Sequence, residues 1–397
     1  MPGRISREPA AMLLAMAFVM PLTFSVWNAL LNNFAVEQVA FNGQDIGILQ
    51  SLREIPGFLT FTVVFLLLFI REQRLALLSL LLMSAGIAVT GYFPSVLGLY
   101  ITTVIMSIGF HYFESLNESL TLQWLPHQET AHFMGRVLAF KGVAALLAYG
   151  SIWVLMDQLE WAYAQMYLLA GGIGIIAVVG IWAWFPHFRE ASIQHKKIIL
   201  RRRYWLYYGL TFMGGARRQI FMVFAAFMMV EKFGYSVGEI SLLYLVNYVF
   251  NLFFAPRIGA WIGRVGERRA LTLEYIGLFI VFASYAFVSN AMLAATLFVV
   301  DHFFFALAIA IKTYFQKIAD PEDIAGSAGV GFTINHIAAV VIPVLLGAVW
   351  MVSPAAVFIT GASFALISLG LARLIPDSPG PGSETRWSAP AVAGTAG

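Results

Sequence analysis

Apolar residues in this chain come in long, nearly unbroken runs. They show neither the two-residue alternation of a half-buried strand nor the narrow stripe of an amphipathic surface helix. A helix needs roughly 20 such residues to cross a bilayer core. The runs predict membrane helices over residues 11–31, 46–70, 75–93, 96–124, 134–156 and 162–185, then 204–231, 239–258, 270–289, 291–316, 327–351 and 354–374. The pattern is that of an all-α integral membrane protein with about twelve spans. The first run, Ala11 to Leu31, is too long for a signal-peptide core and lacks a clear cleavage site, so it reads as an uncleaved helix.

Charges between the runs give a topology. The longest connection, PHFREASIQHKKIILRRR, is also the most basic, and Arg71, Arg74, Arg264, Arg268, Arg269 and Lys317 fall on its side of the membrane. The opposite side holds Glu37, Asp45, Asp157, Glu160 and Glu231, with Lys232 as its clear cation. This bias puts both termini in the cytoplasm and fits a plasma (inner) membrane. The chain then divides into an N-terminal six-helix bundle (1–185), a basic cytoplasmic linker (186–203), a C-terminal six-helix bundle (204–375) and a tail (376–397) whose Pro, Gly, Ser and Ala content reads as disordered.

The two halves repeat. Asp45-Ile46 matches Glu239-Ile240, Arg74 matches Arg268, Gly135 matches Gly329, and Val143-Ala144-Ala145 matches Ile337-Ala338-Ala339, all offset by 194. Parallel repeats of this kind place a solute site between six-helix halves, near the bilayer midplane.

Composition narrows the class further. With 60% hydrophobic and 11% charged residues, a soluble domain is excluded. Cysteine is absent, so disulfides and thiolate metal sites are excluded as well. The net charge of +3 sits in the loops and gives no nucleic-acid surface. The sequence shows no phosphate-cradling loop, which argues against an ATP-driven pump or other enzyme, and no cofactor is expected.

The segment GAWIGRVGERR, Gly259 to Arg269, resembles the loop signature of the major facilitator superfamily at Gly259, Arg264, Gly266, Arg268 and Arg269. It departs at Gly263, where that family usually has aspartate, so a gating role for that acid does not carry over. The first-half copy has Phe65 and Phe69 at the glycine and acid positions and keeps Arg71 and Arg74. The resemblance implies alternating access between two bundles. Topology alone also accounts for much of the arginine signal.

Charges inside the apolar runs are the candidate chemistry, because ions at bilayer depth are costly and usually functional. Arg217, Arg218 and Gln219 interrupt the seventh run. Neighbouring helical residues point about 100° apart, so one arginine can hold an anionic ligand while the other is paired or turned to water. In the fourth run, HYFESLNES puts His111, Glu114 and Glu118 on one face. Glu114 reads as the proton-coupling carboxylate, with His111 and Asp301 as further coupling candidates. Glu118 reads as the structural partner of Lys141 on the fifth helix. In the second half, Asp301 and His302 lie mid-membrane, and Lys312, eleven residues on, returns toward the face of Asp301. Lys312 also stands where Glu118 does in the repeat, and is grouped with Arg264 and Arg268 as gating or structural charges. Asn28, Asn247, His302 and Asn335 complete the polar set expected to bind solute, whereas Asn251 reads as interhelical glue.

These features predict a secondary transporter of a small, polar, anionic solute, coupled to protons and working as a monomer in the lipid bilayer. Two other readings use the same residues. His111, Glu114, Asp301 and His302 could ligate a divalent metal or its chelate during transport, or the chain could be a non-transporting membrane sensor or scaffold.

Overall fold

Several helices begin where the sequence supplies a side chain for the open amides of a first turn. The computed structural model describes residues 8–125, 127–188, 200–320 and 323–387. α1 spans Pro9–Val39, with its proline in the first turn, where a missing N–H costs no hydrogen bond. α2 (Gly43–Phe58) starts on Asn42, whose side-chain oxygen accepts from the amides of Gln44 and Asp45. The Asp45 carboxylate accepts from the Asn42 amide in return. Beyond Pro56, α2 gives way to a 3-10 turn (Leu59–Thr62) and a short helix (Val63–Leu66). α3 (Glu72–Thr90), α4 (Val96–Trp124, capped by Ser95), α5 (His127–Ile152) and α6 (Tyr163–Trp184) complete the first half.

In the second half, α7 (Trp205–Gln219) runs through a π-helical turn (Ile220–Ala225) into a last helical stretch (Ala226–Glu231). α8 spans Val237–Val265 and α9 Glu267–Phe287. α10 covers Ala291–Ile318, with a 3-10 turn at Ala306–Ala308, followed by α11 (Ile324–Val352) and α12 (Pro354–Ala372). Among the described residues no strand forms, only an isolated bridge between Gly380 and Ser383. Nine of the helices described are long and apolar enough to cross a membrane, and Val237–Phe250 is a shorter apolar stretch. The broken α2 and α7 complete the series of twelve expected spans.

The repeat is visible in the helix boundaries. α8 starts 194 residues after α2, and α9 and α10 each start 195 residues after α3 and α4. The matched acids at 45 and 239 have one local job. Glu239 accepts from the Ser236 amide at 2.8 Å while the Ser236 hydroxyl accepts from the Glu239 amide at 3.2 Å, a second capping box. A cross-helix clamp also recurs. The Gln123 side chain donates to Glu72 at 2.8 Å between α4 and α3, and Lys317 pairs with Glu267 at 2.7 Å between α10 and α9. The loop before α9 turns on Gly266, at φ +85°, a conformation that a Cβ would strain, which gives the signature glycine a physical reason.

The chain forms two compact units, one of Met1–Ile193 with Val230–Tyr248, the other of Gln194–Met229 with Val249–Gly397. In the first, α3 packs against α4 and α6, and α1 packs against α5 and α6. Glycines let these helices touch by backbone. A Cβ on Gly109 would collide with main-chain atoms of Ser79 and Met83, and one on Gly171 with those of Ser84 and Ala88. In the second unit α9 packs on α12 and α7 on α11, around a buried cluster that includes Tyr204, Leu210, Tyr275 and Tyr314. Most of the basic linker, 189–199, lies outside the described residues.

The start of the tail departs from its disordered reading. Asp377 pairs with Arg268, Tyr314 donates to the Glu384 carbonyl, and the Arg386 amide donates to the Leu374 carbonyl at 2.8 Å. Composition missed this because the anchoring groups are main-chain atoms and single charges. Nearby, Arg201 grips Asp323 in bidentate fashion at 2.6 and 2.9 Å, and the Tyr204 hydroxyl donates to the same carboxylate at 2.9 Å.

Two outcomes follow from these contacts. Gly109→Ala and Gly171→Ala should each lower stability by about 1–3 kcal/mol through overpacking. Gly172→Ala, where a Cβ meets nothing within 4 Å, should be neutral or better. Thermal unfolding in detergent distinguishes them, and equal responses would refute the close-packing account. The hydrogen-bonded Arg201 guanidinium holds the Asp323 carboxyl below its ordinary range. Its stabilisation is therefore complete above the unfolded aspartate value, about 3.9, and is lost as pH falls through the lower folded value. The gap in unfolding midpoint between wild type and Asp323→Asn should be constant above about pH 4 and close below it. A gap unchanged at lower pH would contradict this.

Candidate functional site

The 100° step of a helix separates the two adjacent arginines of α7. Arg217 is buried, with 1% of its surface exposed, whereas Arg218 is exposed. Arg217 Nη2 lies 3.5 Å from Glu274 Oε1 on α9, with both side chains fully buried. Its guanidinium carbon sits 4.2 Å from the centroid of the Tyr275 ring. Asp301 on α10 is also fully buried and lies within electrostatic reach of Arg217. His302, the next residue, is within reach of Arg218 and 6.4 Å, centroid to centroid, from Phe221. Gln219 is buried. Asn335 on α11 lies 2.7 Å from where a Gly215 Cβ would stand, so glycine lets α11 close on α7.

Lys312 is exposed while Asp301 is buried, so the two do not share an environment. The 3-10 turn at Ala306–Ala308 lies between them and advances the helix face faster than an α-helix does. That correction removes the expected grouping of Lys312 with Asp301.

In the first unit, His111 is buried and Glu114 and Glu118 are exposed. Lys141 pairs with Glu114, at 3.3 Å, and not with Glu118 as expected. The cause is the helix start: α5 begins at His127, seven residues before the expected 134, so Lys141 lies deeper and meets the deeper acid. Glu54 on α2 is bound by Arg53 at 2.6 Å, and its carboxylate lies within 4.8 Å of a His111 ring nitrogen.

The segment 230–248 is held in this same unit. The Asn33 side chain donates to the Tyr235 carbonyl at 2.7 Å, and Glu37 accepts from Tyr163 at 2.8 Å. The Asp157 carboxylate rests against Gly238 in the first turn of α8, where the helix dipole favours an anion. Tyr149 stacks on Tyr244 with centroids 5.8 Å apart, and the Tyr244 hydroxyl is hydrogen-bonded to Asn28. Asn247 is buried, and neither polar atom of its side chain has a hydrogen-bond partner among the described residues. Arg264 is exposed in the last turn of α8, Arg268 in the first turn of α9 pairs with Asp377, and the Asn251 side chain lies outside the described residues.

The sequence reading missed Glu274. A lone acid within LTLEYIGLF was visible by the same rule that singled out Arg217, but position 274 lacks a neighbouring charge to draw notice. It also missed the Tyr149–Tyr244 stack, which aromatic content alone does not distinguish from packing.

Apolar helices in a repeated six-plus-six plan, with buried charges at membrane depth, define a multi-pass membrane transporter. The chain belongs to the Major Facilitator Superfamily, whose sequence profile matches residues 11–343 and 207–395. No curated protein matches the sequence. Among solved structures it is similar to the nucleoside transporter NupG, with a TM-score of 0.77 to a mutant form at 13% identity, over 92% of this chain and 99% of that one. A second structure of NupG gives 0.70 at 13% identity, over 92% and 98%. A bacterial homologue of the human lysosomal transporter Spinster, inward-facing and occupied, gives 0.68 at 13% identity, over 91% and 95%. At such identity these likenesses establish the fold.

The two ion pairs should respond differently to loss of a partner. Arg217→Met leaves a buried carboxylate uncompensated and should cost about 3–5 kcal/mol. The Glu114–Lys141 pair, with side chains 44% and 32% exposed, is worth at most about 1 kcal/mol. Unfolding midpoints of Arg217→Met and Glu114→Gln test the contrast, and similar losses in both would undo it.

Proposed function

We propose that the protein is a secondary active transporter of a small polar, anionic solute, driven by protons through alternating access, with Arg218 as partner of the solute's anionic group. The observation that carries this reading is the division between the adjacent arginines. Arg217 faces Glu274 in the protein interior, whereas Arg218 is exposed on the same helix with His302 within reach. A guanidinium offers a planar, permanently charged fork suited to carboxylate or phosphate.

The basic bias of the linker-side loops supports cytoplasmic termini in a plasma membrane, and a monomer is sufficient for the cycle. At the acidic-loop end, the contacts of Asn33, Asp157 and Tyr149 with the segment 230–248 would break when the site opens to that side. A bare metal is disfavoured as cargo because Glu114 faces Lys141 and Asp301 lies near Arg217. The fold likeness to a nucleoside transporter makes nucleosides and their phosphates practical first probes beside small organic acids.

The test is uptake by purified protein in liposomes, across that panel, with and without an imposed pH gradient. Arg218→Lys should keep the fold and weaken affinity for the transported anion about tenfold or more, as expected for losing a charge-assisted, two-pronged contact. Normal affinity of Arg218→Lys for every transported solute would sink the anion assignment, and absence of gradient-driven accumulation would sink the coupling.

A further inference from the structure

We propose that Glu274 and Asp301 share one exchangeable proton beside Arg217, and that this three-helix cluster is the proton site of the transport cycle. The members come from different helices of one unit, Arg217 on α7, Glu274 on α9 and Asp301 on α10. Arg217 is 1% exposed and both acids are 0% exposed. Among the described residues, Arg217 is the one arginine or lysine that is buried. One cation therefore meets two acids where neither water nor a lipid headgroup can solvate an excess charge. A single proton makes the cluster neutral.

The hydrogen bonding leaves room for that proton to come and go. Arg217 reaches Glu274 Oε1 at 3.5 Å, while Glu274 Oε2 and both oxygens of Asp301 have no hydrogen-bond partner among the described residues. The Arg217 Nε and Nη1 atoms also have none. The same side chains thus hold donors and acceptors for a second arrangement, in which the guanidinium bridges two carboxylates. Around them stand the Tyr275 ring against the guanidinium and His302, next to Asp301 in the chain, with Arg218 within electrostatic reach of it, while Asn335 on the packed α11 lies against Gly215 of α7.

With the cluster closed, Asp301 keeps its proton and Arg217 faces Glu274 alone. When the cycle opens the cluster to water, the Asp301 O–H releases its proton to that water and Arg217 pairs with both carboxylates. Reprotonation from the other side reverses the exchange. Each state draws α7, α9 and α10 together differently, so proton loading is tied to how the bundle is held. This deepens the transport reading by locating its coupling ion, and it gives Glu274 a role equal to that of Asp301.

The test reads the proton without any solute, so it can fail separately from the transport reading. Purified protein in liposomes is taken from acid to alkaline pH while the carboxylic-acid carbonyl absorption is followed by infrared difference spectroscopy. Wild type should lose one protonated-carboxyl band as pH rises. Asp301→Asn and Glu274→Gln each leave Arg217 a single carboxylate, so both should fold and both should lack that band. Survival of the band in either variant overturns the shared proton, as does its absence from wild type. Should one variant fail to fold, the other decides alone.

Discussion

Charge neutrality in a place without solvent governs the interior of the second unit. Burying Arg217 is tolerable because Glu274 faces it, and breaking such a pair from one side costs far more than the pair contributes. The Tyr275 ring against the guanidinium adds a second apolar way of holding the same charge. Once these groups are fixed, the faces of α7 and α9 are fixed as well. The orientation of Arg218 follows from that of Arg217 by helix geometry alone.

The two halves share a frame and differ in chemistry. Capping boxes at Asn42 and Ser236 and cross-helix clamps at Glu72 and Glu267 recur in register, because both serve helix starts and ends that any copy of the fold needs. The charges of Arg217 and Asp301 have no counterparts at their repeat positions. Thr23 occupies the repeat position of Arg217, its hydroxyl bonded back to the Val19 and Met20 carbonyls of its own helix. Ser107 stands where Asp301 does, donating to the Arg53 carbonyl. The first unit instead places a buried acid on α2, as Glu54 beside Arg53.

Run length, loop charge and the repeat made the twelve-helix plan legible, since a bilayer imposes each of them on the sequence itself. The site was legible only as a set of charges at membrane depth. Which of them meet depends on helix starts and local winding, which hydropathy does not record. A seven-residue error at the start of α5 moved the partner of Lys141 from Glu118 to Glu114. A 3-10 turn three residues long separated Lys312 from Asp301. The tail illustrates the converse: its composition was read correctly, but a few main-chain hydrogen bonds and the Asp377–Arg268 pair order residues that composition would leave loose.

In α2, α7 and α10 a helix irregularity follows closely on charged residues, and that proximity links structure to movement. α2 tightens into a 3-10 turn a few residues after Arg53 and Glu54, α7 enters a π turn immediately after Arg217 to Gln219, and α10 tightens at Ala306–Ala308 a few residues after Asp301. Such turns shift the backbone register, have poorer hydrogen-bond geometry than an α-helix, and often mark hinges. A straight helix would lock each charge to one direction for its whole length. A turn beside the charge lets the helix on one side re-aim while the other side stays packed. A charge cluster whose pairing changes with a proton needs helices that can follow it, and α7 and α10 are irregular at the point where following would begin.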